Sequence, residues 1–215
     1  EVGFFSPHVP CITPLRFKKL YRHDRLRRPG DWAGPVTDSS YVEAAYPIVQ
    51  EFESEEFWQR SVRNYFSAYS HGDHQLGRVL DALAASRHAA NTVVIVVSDH
   101  GFHLGNRNLF RKTTMWEQSL HVPVIIFDPA DPVRRVVDDP VGLIDLGPTV
   151  LDFAGVSPQA RRHGRSLRRY LAGERDPDRV IPSFYKGNAS IRRGRYRIIR
   201  YGDGSYQLFD CIDDY

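Results

Sequence analysis

The sequence predicts an α/β fold with a mainly parallel sheet, followed by a small antiparallel sheet at the C-terminal end. Three observations predict it. Residues 93–97 read VVIVV, a run of β-branched side chains without polar alternation, which is how a strand reads when both faces are buried in a parallel sheet. A long helical pattern precedes that strand and a second apolar stretch, HVPVIIF at 121–127, follows it, so helix and buried strand alternate. Beyond residue 180 the pattern changes to short strands parted by glycine turns, the mark of hairpins. The expected domains are 1–178, the α/β body, and 179–215, a small antiparallel subdomain that is truncated.

A chain of 215 residues fits one large domain with or without an appendage, and 41% hydrophobic and 12% aromatic residues supply a core. The net charge is only +3, and the arginine knots at 25–28, 161–162 and 192–193 are scattered. No nucleic-acid motif accompanies them, so nucleic acid is not an expected partner. A mildly basic surface suits an anionic small substrate. No stretch approaches the ~18 apolar residues of a membrane span. Cys11 and Cys211 lie at opposite ends of the sequence and are expected to be free thiols. The first residue is not Met and no signal peptide is legible, so no compartment is assigned.

In chain order, residues 1–6 (EVGFFS) read as a short apolar strand ending in Pro7-His8-Val9-Pro10. Two prolines bracketing a histidine make a stiff turn that presents the imidazole, or else a surface turn that merely contains it. Residues 14–56 are irregular and rich in turn signals such as Pro29-Gly30 and Gly34-Pro35. From Glu55 a long helix places Trp58, Val62, Tyr65, Phe66, Tyr69, Leu76, Val79, Leu80 and Leu83 on one face. Asp73 and His74 form its polar flank, and Gly77 is expected to admit a close neighbour. After the 93–97 strand come a glycine-broken loop, a helical stretch at 113–120 and the 121–127 strand. A further helix is expected at 145–153, with Pro148 in its first turn and Gly155 ending it, then a helical turn at 166–171. Strands are expected at 181–185, 189–192, 196–201 and 206–209, with turns at Gly194 and at Gly202-Asp203-Gly204.

The chemistry gathers after the 93–97 strand. In open α/β sheets ligands bind just beyond the carboxyl ends of the strands, and Asp99-His100 stand there. Carboxylate plus imidazole without cysteine suits a divalent ion; the alternative is a strand-to-loop cap in which Asp99 accepts backbone N–H bonds. Lys112 is either an anion-binding point charge or a solvated loop lysine. His103 and His121 on their own read as structural or peripheral. There is no glycine-rich phosphate loop, Cys-x-x-Cys pair or Gly-x-Ser-x-Gly elbow.

Taken together these segments resemble the C-terminal half of a type I sulfatase, within the alkaline phosphatase superfamily. The resemblance runs, in order, through FFSPHVP (4–10), YSHGDHQLGRVLDAL (69–83), NTVVIVVSDHGFHLG (91–105), LFRKTTMWEQSLHVP (109–123), DLGPTVLDFAG (145–155), HGRSL (163–167) and RRGRYRIIRYGDGSYQLFD (192–210). The Asp-His pair looks nearest to the choline-sulfatase and iduronate-sulfatase branches. It implies a partial alkaline-phosphatase-like sandwich and a hydrolase of sulfated small molecules or glycans. In the family a cysteine or serine in a Cys/Ser-x-Pro-x-Arg motif becomes formylglycine, whose hydrate attacks sulfur. By resemblance Asp99 and His100 are ligands of one divalent ion, calcium, with Mg2+, Mn2+ or Zn2+ as alternatives; an imidazole ligand leans toward zinc or manganese. Lys112 matches a sulfate-binding lysine. His8 matches a histidine contacting the sulfate and the leaving oxygen as general acid, and His103 is a further substrate contact.

The departures matter as much. Cys11-Ile12-Thr13-Pro14-Leu15-Arg16 has one residue too many between Cys and Pro, and it follows the Pro-His-x-Pro turn, which the family nucleophile precedes. Cys11 is therefore read as a bystander, and the nucleophile and early acidic ligands have no counterpart. The sequence is expected to be a fragment without turnover of its own, in which His8, Asp99, His100 and Lys112 line one pocket. Two other functions stay open: a phosphate or phosphonate ester hydrolase of the same superfamily, and a non-catalytic module that binds anions or glycans.

Overall fold

A computed structural model describes residues 1–32, 41, 44, 54–157 and 163–213. Its elements, in chain order, are α1 (Leu15–Lys18), α2 (Glu55–Ala84), β1 (Val94–Val97), β2 (His103–Leu104), β3 (Phe110–Arg111), α3 (Glu117–Leu120), β4 (Val124–Phe127), α4 (Leu146–Phe153), α5 (Arg168–Leu171), β5 (Val180–Tyr185), β6 (Asn188–Arg193), β7 (Tyr196–Arg200) and β8 (Tyr206–Asp210). Short 3-10 turns stand at His23–Arg25 and Gly30–Trp32; most of the irregular stretch between Trp32 and Ser54 lies outside the described residues. The chain forms two compact units, Glu1–Thr92 with Phe102–Lys112, and Val93–Gly101 with Thr113–Tyr215. This division does not follow the expected boundary at 178/179. The reason lies within the second unit, where Glu117 of α3 accepts from Nε and Nη2 of Arg197 on β7 at 2.9 and 2.6 Å. The Trp116 indole N–H also reaches the Tyr201 hydroxyl at 3.2 Å. The C-terminal sheet is thus packed on α3 rather than set apart.

The first unit is built on α2. Ser54 caps it, its hydroxyl accepting from the Phe57 N–H at 3.4 Å, and Glu55 and Glu56 lie in the first turn, where carboxylates suit the helix dipole. Trp58, Val62, Ser67 and Ala68 are its buried positions. The Trp58 indole N–H donates to the Leu104 carbonyl at 2.6 Å. Gly105, at φ 101°, passes so near that ring that a Cβ would lie 2.4 Å from Trp58 Cδ1. The close approach expected at Gly77 is not there; nothing lies within 4 Å of its Cβ direction, whereas at Gly72 the Ser6 carbonyl oxygen would stand 3.3 Å away. Spacing identifies a small residue on a helix but not which one faces a neighbour. Residues 1–6 form no strand. A strand needs a ladder partner, and among the described residues none pairs with them.

In the second unit β1 pairs with β4 antiparallel, Val94 opposite Phe127 and Val97 opposite Val124. No parallel pair occurs among the described residues, so the expected parallel direction is corrected while the α/β class with its appended antiparallel sheet stands. A β-branched run reports strand preference and burial but carries no information on direction. Val97, Ile125 and Phe127 are also exposed, so burial of both faces is not seen. The helical stretch expected from 113 narrows to α3, because the Thr114 and Ser119 hydroxyls bond each other at 3.0 Å across an irregular start.

A buried carboxylate organises the next segment. Asp145 is fully buried and accepts from the Gly142 and Arg165 backbone N–H groups at 2.8 Å each and from Arg179 Nη2 at 2.5 Å. Its carbonyl accepts from the Thr149 hydroxyl at 2.7 Å, whose oxygen in turn takes the Leu167 N–H at 2.8 Å. α4 then runs to Phe153 and Gly155, at φ 66°, ends it. The last four strands form a meander β5-β6-β7-β8 with ends within a residue of those expected. Lys186 and Gly187, both with positive φ, make the first hairpin turn, and Gly194 and Gly204 serve the others. Pro182, Ile191, Ile198 and Leu208 align across all four strands on the exposed face. Among the described residues no helix is long and apolar enough to cross a membrane.

Candidate functional site

β1 ends at Val97, and the chain bends at once through Ser98, whose hydroxyl donates to the His100 carbonyl at 2.8 Å. His100 Nδ1 lies 2.8 Å from the Gly101 carbonyl. A carbonyl only accepts, so Nδ1 carries a proton, and in the neutral ring Nε2 is the nitrogen with the lone pair. That Nε2 is 3.5 Å from Asp99 Oδ2, within the ~5 Å that two ligands of one ion span. The Asp99 side chain is 85% exposed, which leaves its carboxylate open to a solute. Gly101 pins the bend. Its N–H donates to the Ser119 carbonyl at 2.8 Å, and a Cβ there would sit 2.0 Å from the Gln118 carbonyl oxygen, so glycine is required.

The donor pair fits a divalent ion: an exposed carboxylate oxygen and, in the neutral ring, the imidazole Nε2, on a braced bend. It offers two donors, and among the described residues no group of three or more His, Cys, Asp or Glu is assembled. His121 is a bystander, exposed beside Glu117 at 3.9 Å. Burial alone would raise the Glu117 carboxyl; Arg197 and Arg192 overcome that and hold it below the usual range, so it remains the anionic anchor of the C-terminal sheet.

The other site candidates belong to the first unit. His8 lies in a tight turn, its N–H bonded to the Phe5 carbonyl at 2.9 Å and its carbonyl accepting from the Cys11 N–H at 3.2 Å. Its ring sits 5.0 Å from that of Phe5, and Nδ1 donates to the Val9 carbonyl at 2.6 Å. The side chain is exposed, and with Nδ1 committed, Nε2 is the atom left to exchange a proton. Cys11 is half-buried, and burial pushes its thiol up, with Lys18 only partly offsetting this. Its S–H points to the Pro7 carbonyl at 3.5 Å. A thiol kept protonated is a poor nucleophile, in keeping with its reading as a bystander. Lys112 follows β3 directly, after Arg107 and Arg111, both at positive φ of 52° and 83°. Non-glycine residues in that region mark a constrained loop.

His103 is a correction. It was expected to touch substrate; it is 1% exposed on β2, with Nδ1 3.0 Å from Asn106 Oδ1. Burial lowers it from 6.5 to about 4, with the Asn106 bond opposing. It is a neutral interior histidine, and its sign in stability is definite. The unfolded chain binds the proton first as pH falls, so stability is complete above 6.5 and drains away between 6.5 and 4. The loss reaches about 3 kcal/mol at the acid end. Urea unfolding from pH 7 to 4 checks this; His103→Gln should flatten that limb, and an unchanged limb would contradict it.

The α/β body with its appended antiparallel sheet has the alkaline-phosphatase-like fold. A phosphonate monoester hydrolase from Silicibacter pomeroyi superposes with a TM-score of 0.74 at 24% identity, over 95% of this chain and 48% of that one. The chain belongs to the sulfatase family, whose profile matches residues 8–156. A second profile, N-sulphoglucosamine sulphohydrolase, C-terminal, matches 105–215. A sulfatase of Formosa agariphila is 31% identical over 99% of this chain and 44% of its own length. A choline-sulfatase of Rhizobium meliloti is 28% identical over the same shares, 99% and 44%. The chain therefore spans under half the length of these relatives.

Proposed function

We propose that this chain is the metal- and sulfate-contacting portion of an enzyme that hydrolyses sulfate esters of small molecules or glycans. The observation that carries the reading is the Asp99–His100 pair on the glycine-braced bend after β1, in a chain of the sulfatase family. A divalent ion held there, calcium by family resemblance, would supply positive charge that offsets the anionic oxygens of the bound ester. Asp99 would hold it through a carboxylate oxygen and His100 through Nε2, oriented by the Nδ1–H bond to Gly101. The Lys112 ammonium adds a point charge for the sulfate. As the S–O bond to the leaving group breaks, negative charge builds on the departing oxygen, and the His8 Nε2–H delivers a proton there. The nucleophile, a formylglycine by resemblance, is not among the residues of this chain, which alone is expected to show no turnover.

A second reading has a specific observation behind it, the fold likeness to a phosphonate monoester hydrolase. The experiment compares kcat/KM for an aryl sulfate and an aryl phosphonate monoester in an enzyme of the relatives' length carrying this sequence. Preference for the sulfate supports the first reading; preference for the phosphonate replaces it with the second. Turnover of neither, with retained sulfate binding, leaves a non-catalytic anion module.

A further inference from the structure

The geometry points to His71 on α2 as a positioning residue for His8, acting through Ser6; this rests on reading His8 as the proton donor. Three side chains on α2 form a directional chain of hydrogen bonds that ends on the His8 turn. Arg78 Nη1 donates to Gln75 Oε1 at 2.8 Å. An arginine can only donate, so the Gln75 amide is fixed with its nitrogen on the other side. That nitrogen lies 3.2 Å from His71 Nε2. An amide nitrogen also only donates, so His71 Nε2 accepts and its proton sits on Nδ1. Nδ1 stands 3.5 Å from the Ser6 hydroxyl oxygen, a long contact that carries the chain on to Ser6. The buried Phe17 ring, 5.1 Å from the His71 ring, supports the imidazole from the side.

The neighbouring residue on the helix holds the same point. Gly72 lets Ser6 close on α2, since a Cβ there would be 3.3 Å from the Ser6 carbonyl oxygen and 3.6 Å from its Cβ. Ser6 lies inside the turn closed by the bond from the His8 N–H to the Phe5 carbonyl, so a shift of Ser6 moves His8 with it. Helix α2 thus grips the turn at one residue by two independent contacts, a hydrogen bond from His71 and a close fit at Gly72. Misplacing a proton donor by a fraction of an ångström lowers the rate of proton delivery more than it lowers substrate affinity.

The test uses the complete enzyme with aryl sulfates of good and poor leaving groups. His71→Ala and Gly72→Ala should each lower kcat for poor leaving groups, by roughly 10–100-fold. The loss should be much smaller for good ones, with KM near that of the parent. Gly72→Ala should do this with little change in melting temperature, because the better helix propensity of alanine offsets the displacement of Ser6; loss of activity without matching loss of stability is what a merely structural role would not give. In the His8→Ala background, His71→Ala should cause no further loss. Equal loss for all leaving groups where His8→Ala separates good from poor, full additivity with His8→Ala, or parental kinetics in Gly72→Ala overturns the proposal. Failure of the underlying reading is separate: His8→Ala itself would then slow good and poor leaving groups alike, while the coupling between the two histidines would still decide whether His71 positions the turn.

Discussion

His8→Ala in the complete enzyme should lower kcat for sulfate esters with poor leaving groups by roughly 10²–10⁴-fold, the contribution of a positioned general acid. Esters whose alcohol departs without protonation should be much less affected. The expectation rests on the turn geometry: Nδ1 is held by the Val9 carbonyl and the exposed ring offers Nε2. A leaving-group series read as log kcat against the pKa of the released alcohol makes the distinction. A steeper slope in the variant is the expected result; a parallel line displaced downward would assign His8 to sulfate binding instead.

The largest effect on stability is expected at Asp145. Asp145→Ala removes one carboxylate that serves two backbone N–H groups and the Arg179 guanidinium at a fully buried position. Breaking a buried pair from one side leaves the partner charge unsolvated, which costs about 3–5 kcal/mol. The loop through Gly164 has no room to adjust, because a Cβ there would lie 2.0 Å from the Ile144 carbonyl. Chemical denaturation reads the difference directly, and a loss below about 1 kcal/mol, the scale of an exposed pair, would contradict the role given to this carboxylate.

What could be read from the sequence, and what could not, follows from what each signal encodes. Glycines at turn positions and alternation in short strands are local, so the C-terminal meander emerged with its strand ends nearly in place. Pro148 and Gly155 likewise bounded α4 because both act on their own backbone. Strand direction is set by where the chain travels between β1 and β4, and no residue within either strand records it; hence the antiparallel pair where a parallel one was expected. The Asp99–His100 proximity was legible because both residues sit on one bend. His103 misled because a histidine two residues from that bend looks identical in sequence whether it faces solvent or, as here, is sealed on β2 against Asn106. Asp145 passed as a helix-start acid, since nothing local reveals a partner as distant as Arg179. The His71–Gln75–Arg78 chain did leave a signal, the i, i+3, i+4 spacing on one helix, but its terminus on Ser6 needed the fold.

The claim on which the functional reading depends is that the bend after β1 holds the ion that binds the ester. A calcium titration of sulfate-ester hydrolysis by the chelator-treated complete enzyme, in its parental form and as His100→Ala, tests it most directly. If His100 Nε2 is one of the two ligands proposed for this chain, the calcium concentration for half-maximal activity should rise by at least the 10–100-fold that loss of supporting groups causes at metal sites. Activity should return at saturating ion. The same calcium dependence in parent and variant, or activity indifferent to chelation, would contradict it.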